Sequence, residues 1–62
     1  MTDDEIRRSL RREIGFLRGA AVELRRIAVR APELGDELRR LADQFDRDAE
    51  DLGERFPGLG PP

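Results

Sequence analysis

Apolar residues in the first half of the chain recur at Ile6, Leu10, Ile14, Leu17, Ala21, Leu24 and Ala28, in steps of four and three. Those steps mark one face of an α-helix, and their regularity makes a heptad seam. The spacing predicts a helix over about 3–30. Thr2-Asp3-Asp4-Glu5 signals its start: the Thr2 hydroxyl accepts from the amide near Glu5, and the Glu5 carboxylate reaches back, as in a capping box. Acids in the first turn also suit the positive end of the helix dipole.

Pro32 ends this helix, because proline in a helix interior loses a hydrogen bond and clashes with the preceding turn, whereas it fits the first position of a new helix. A second stripe follows at Leu34, Leu38, Leu41, Phe45, Ala49 and Leu52, predicting a helix over about 32–55. Gly35 in its first turn allows a later start at Asp36, an acceptable N-cap. Residues 1–56 form one helical hairpin in this reading, and the Pro/Gly-rich segment 57–62 a flexible tail.

In an antiparallel pair, facing positions have sequence numbers of constant sum. Ala28 with Leu34, Leu24 with Leu38, Ala21 with Leu41, Leu17 with Phe45, Leu10 with Leu52 and Ile6 with Phe56 all sum to 62. Only Ile14 meets a flaw, Asp48, with Ala49 one step away. The predicted hairpin is about 35 to 40 Å long at ~1.5 Å per residue.

Each helix carries a further apolar line: Phe16, Ala20 and Ile27 on the first, and the small residues Gly35, Ala42, Ala49 and Gly53 on the second. Apolar arcs this wide belong to four-helix bundles. The expected fold is therefore all-α, an antiparallel two-helix hairpin completed as a dimeric four-helix bundle. Phe16, Ala20, Ile27, Ala42 and Ala49 are its expected protein interface. In ideal heptad geometry the two further lines fall on opposite sides of the hairpin, which leaves docking on a larger protein as open as homodimerisation.

Composition narrows the function. Among the 62 residues there is no cysteine, histidine or lysine, so thiol nucleophiles, zinc and iron–sulfur ligand sets, imidazole bases and Schiff-base amines are missing. Two packed helices also offer no pocket of stable shape for a carboxylate pair. No enzyme activity, cofactor, metal or small-molecule substrate is expected. No stretch approaches the ~18 apolar residues of a membrane span, and the charged N-terminus lacks a signal-peptide core. A soluble, cytoplasmic protein without membrane contact is the expectation.

All 12 cations are arginine, against 14 acids, for a net charge of −2. The distribution is uneven: residues 1–31 hold eight arginines and five acids, and residues 32–56 four arginines and nine acids. Arg11, Arg18 and Arg25 lie seven apart with no acid three or four residues away, and Arg8, Arg12 and Arg26 widen this face. Such a line holds a polyanion through counterion release, or lies as a solvated flank screened by acids across an interface. Phe16, at the edge of the apolar arc beside Arg12, is placed to stack on an unpaired base or to be buried in a dimer. Gly15 and Gly19 either admit a close approach or bend the helix. Asp43, Asp46, Asp48, Glu50 and Asp51 fan around the helix axis without calcium-loop spacing, so pairing with arginines of another subunit is their expected use.

The Met1-Thr2-x-x-Glu5 opening, the turn around Ala31 to Glu33, the seam at Leu38, Leu41, Phe45 and Leu52, and the closing Arg55-Phe56 resemble the plasmid copy-control repressor-of-primer family. That resemblance implies a dimeric four-helix bundle that binds paired RNA loops through the exposed face of helix 1. With helix 1 shifted by two residues, Phe16 takes the family's aromatic position and carries Arg12 and Arg18 with it. Ala20 and Ile27 stand where that family has polar RNA-contacting residues. Glu23 to Ala28 and Leu38 to Phe45, with a Leu-Arg-Arg-Leu-Ala pattern, are also similar to short bacterial hairpin proteins, a likeness that implies no activity.

The expected function is that of a non-enzymatic interaction module, a hairpin that homodimerises or docks on a larger protein. The alternative is an RNA-binding dimer that uses Arg11, Arg12, Phe16, Arg18 and Arg25.

Overall fold

A computed structural model describes residues 2–58 of the chain. Helix α1 spans Asp3–Arg30. The Glu5 amide donates to the Thr2 hydroxyl over 3.2 Å, which satisfies one of the donors that every helix N-terminus leaves open. The reciprocal half of the expected capping box, from the Thr2 amide to the Glu5 carboxylate, is not formed. Asp3, Asp4 and Glu5 sit in the first turn and Arg30 in the last, so both ends complement the dipole.

The Ala31 amide still donates to the Ile27 carbonyl at 2.9 Å, but its backbone, at φ −125° and ψ 73°, leaves the helical region and ends the helix. Pro32 then opens a single 3₁₀ turn, Pro32–Leu34, and helix α2 runs Gly35–Arg55. After α2, Pro57 and Gly58 form a turn in which Gly58 adopts a φ of 96°, a conformation glycine takes without steric cost. The rest of the expected tail, residues 59–62, lies outside the described residues.

The two helices pack antiparallel into a slab of 45 × 20 × 15 Å. What the slab encloses is small. Ala21, Ala42 and Ala49 are 0% exposed and Ala28 1%, Gly35 is buried with them, and no large side chain among the described residues is fully buried. Leu10, Ile14, Leu17, Leu24, Leu38, Phe45 and Leu52 are only half-buried.

This differs from the expected seam. Leu41 was to face Ala21 and Leu34 to face Ala28, yet Leu41 remains 45% exposed and Leu34 48% exposed. The residues that follow them, Ala42 and Gly35, are the buried ones, so α2 is turned by about one residue, or ~100°, from the large-residue seam. Ala28 with Gly35, Ala21 with Ala42 and Ile14 with Ala49 have numbers that sum to 63, the constant an antiparallel register requires. The physical reason lies in size: small residues seven apart on both helices let the backbones approach closely, and the larger leucines then pack beside the seam instead of in it.

Candidate functional site

The seam defines the two flanks of the slab. Arg25 lies four residues after Ala21 and Asp46 four after Ala42, and they meet, Arg25 Nη2 donating to Asp46 Oδ2 at 2.7 Å. Arg25 also donates to Asp43 Oδ1 at 2.9 Å. Positions displaced from the seam in one rotational sense therefore share a flank, as antiparallel geometry demands. Arg11 and Arg18, each a multiple of seven from Arg25, lie on this charged flank, as do the exposed Val22 and Val29.

Residues displaced the other way form the opposite flank. Ala20 and Ile27 directly precede the seam alanines of α1, and Leu34 and Leu41 directly precede Gly35 and Ala42. Phe16 stands one turn before Ala20. Phe16 is 63% exposed, Ile27 43%, and Leu34 and Leu41 nearly half. Leu17, Leu24, Leu38 and Phe45 point between this flank and the seam and are half-covered. One side of the slab thus gathers apolar residues from both helices, interrupted by Glu13 and Asp48, which directly precede Ile14 and Ala49.

Two expectations are corrected by this arrangement. Ala42 and Ala49, expected at an outer protein interface, are enclosed between α1 and α2 because the small-residue line is itself the hairpin seam. With that line inward, the apolar line of α1 has Leu34 and Leu41 beside it on one side, while Val22 and Val29 stay exposed on the charged flank. Phe16, Ala20 and Ile27 do share one side. Leu34 and Leu41 complete it; the signal for them was their place immediately before the Gly35–Ala42–Ala49 line.

The expected RNA-contact set is divided. Arg11, Arg18 and Arg25 occupy the charged flank, Phe16 the apolar one, and Arg12 the outer back of α1 one turn from Phe16. Arg25 is engaged within the chain: its guanidinium pKa is raised, first by the hydrogen bond to Asp46 and then by that to Asp43. Its partners are 21 and 18 residues away, beyond any search of neighbouring turns. Arg11, Arg12 and Arg18 are exposed and form no ion pair with the described residues.

Most of the acidic run is used within the chain. Asp43 and Asp46 hold Arg25, Asp48 accepts from Gln44 at 2.9 Å, and Asp51 pairs with Arg55 at 3.0 Å. The pairing with arginine expected between subunits is thus met, for Asp43 and Asp46, inside one chain. Among the described residues no group of three or more acids converges to hold a metal ion. An open cleft of about 370 Å³ lies between the helix ends, lined by Asp3, Ile6, Arg7, Leu10, Arg55, Phe56 and Pro57. No helix among the described residues is long and apolar enough to cross a membrane.

No known family model, no curated protein and no solved structure matches this chain.

Proposed function

We propose that this chain is a small non-enzymatic interaction module, a helical hairpin that covers its apolar side by homodimerisation or by docking on a larger protein. One observation carries the reading: Phe16, Ile27, Leu34 and Leu41 stand together in water on one side of a slab whose enclosed core, among the described residues, is only alanine and glycine. Burial of apolar area is the main favourable term in folding and association, and the hairpin leaves much of it unspent. Light-scattering chromatography of the full chain, alone and with cell extract, tests this against a Leu41→Glu variant. The reading expects a larger species that the variant loses; a wild-type chain that stays at its monomer mass in both settings refutes it.

A second reading, an RNA-binding dimer, is favoured by Arg11 and Arg18, which face solvent without an acid partner among the described residues. Phosphate contacts through these arginines release counterions, so affinity falls steeply with salt. Phe16, on the other flank, is not part of this surface. Arg11→Ala with Arg18→Ala should reduce RNA affinity and flatten its salt slope, and unchanged binding in that double variant refutes the reading.

A further inference from the structure

The geometry points to a second copy of this chain as the occupant of the apolar side, related by a two-fold axis parallel to the helices, so that α1 of each copy lies along α2 of the other. This rests on the interaction reading above and names its partner. Three observations support it.

The first is area. The broad side of the slab has an outline of 45 × 20 Å, large enough to hold the roughly 800 Å² that each partner of a stable specific interface buries. The second is shape. In this arrangement Ile27 meets Leu34 of the second copy, Ala20 meets its Leu41 and Phe16 meets its Phe45, each pair summing to 61. Leu17, Leu24, Leu38 and Phe45 then point at the centre of four helices, which replaces an alanine-sized core with a leucine-sized one. The third is charge. Along the outer edge of α1 stand Arg12, Glu23 and Arg30; along that of α2 and the 3₁₀ turn before it, at the matching levels, stand Asp51, Arg40 and Glu33. These pairs sum to 63, within about 3 Å of the apolar layers at ~1.5 Å per residue, and every one joins opposite signs.

A two-fold across the helices serves less well. Inverting one copy breaks these opposite-charge levels, although Ile6 and Phe56, 39% and 43% exposed, give the open end apolar surface as well. One contact opposes the parallel axis: Glu13 and Asp48, which directly precede Ile14 and Ala49, face each other between copies. This like-charge contact is also the sharpest probe of the geometry.

Sedimentation equilibrium of the full chain over a wide concentration range is the test, with helicity checked by circular dichroism. A monomer–dimer equilibrium is expected. Asp48→Arg should tighten it about five-fold or more, by removing two like-charge contacts per dimer. Glu23→Arg and Arg40→Glu should each weaken it about five-fold, and the double variant should return to within about two-fold of wild type. In one hairpin Glu23 and Arg40 lie on outer edges that face apart, so such rescue has no intrachain route. A dimer that ignores these three variants overturns the parallel two-fold. A monomer at all concentrations that binds an apolar dye, and loses it in Leu41→Glu, overturns the second copy while leaving the interaction reading standing. A monomer that binds no dye overturns both.

Discussion

Leu41 and Ala42 are adjacent, and the rotation of α2 decides which of them carries the hairpin. Leu41→Ala removes three carbons from a side chain about half covered by its own hairpin. At ~0.8 kcal/mol per fully buried methylene, half covered, the loss is about 1 kcal/mol, with no closed cavity left to add to it. Ala42→Leu adds three carbons where the exposure is 0% and the opposing surface is a second helix. Overpacking of this kind costs about 1–3 kcal/mol, and the upper end applies because separating the helices also loosens Ala21, Ala28 and Ala49. For a domain of this size about 1 kcal/mol shifts the melting temperature by roughly 4–8 °C. Thermal melts followed by circular dichroism should therefore place Ala42→Leu well below Leu41→Ala in dilute solution. Concentration adds a second discriminator. If a partner copy covers Leu41, the deficit of Leu41→Ala grows as the protein is concentrated, while that of Ala42→Leu does not. A seam through Leu41 reverses the order: Leu41→Ala would then cost about 2–5 kcal/mol and Ala42→Leu almost nothing. That reversed order is the result that refutes the rotation.

Gly15 and Gly19 sit in the interior of α1, and a methyl group built on either meets nothing within 4 Å. Gly15→Ala and Gly19→Ala should each stabilise the chain by about 1 kcal/mol in urea melts without weakening association, since both face away from the apolar side. Thr2→Ala removes the acceptor of the Glu5 amide and should cost about 1 kcal/mol, whereas Thr2→Ser should be near neutral. Arg25→Gln should lower the melting temperature at low salt, with the difference shrinking in 1 M NaCl, where the Debye length falls to ~3 Å. Salt is the right variable for that contact and alkali is not: the Arg25 pKa is pushed upward, so its contribution is full below the ordinary guanidinium value and is lost only as pH rises through the still higher folded one.

The two helices are legible from the chain because the signals that make them are local. Thr2 is an oxygen acceptor three residues from the amide it caps, and Pro32 acts on its own turn. The rotation of α2 was not legible from either helix alone. A single stripe cannot say whether Leu41 or Ala42 faces inward, since both are apolar and adjacent. The deciding fact is joint: Gly35, Ala42 and Ala49 repeat every seven residues and meet a matching repeat at Ala21 and Ala28. A search for small residues of constant sum across both stripes, instead of the largest ones, finds it. The expected grouping of Phe16 with Arg18 and Arg25 on one face differs from the structure for a related reason. Phe16 and Arg18 are neighbours in sequence but lie on nearly opposite sides of α1, and Arg25 finds its carboxylates only once the second helix is in place.

A seam of small residues has a consequence for how folding and association are coupled. Alanine-on-alanine packing brings the helices close but removes little apolar area per residue from water, so α1 and α2 gain modest stability from meeting. The larger side chains beside the seam, Leu17, Leu24, Leu38 and Phe45, remain half-covered, and the second half of their burial is available only from outside the chain. The same leucines therefore contribute to both steps, and a substitution such as Leu24→Ala should destabilise the hairpin and its assembly together. Leu34→Ala, at the edge of the apolar side, should act mainly on assembly. Melting temperature plotted against protein concentration separates the two: Leu24→Ala lowers the whole curve, and Leu34→Ala chiefly flattens its slope. Equal slopes for Leu34→Ala and wild type would mean that the apolar side is not where the chain associates.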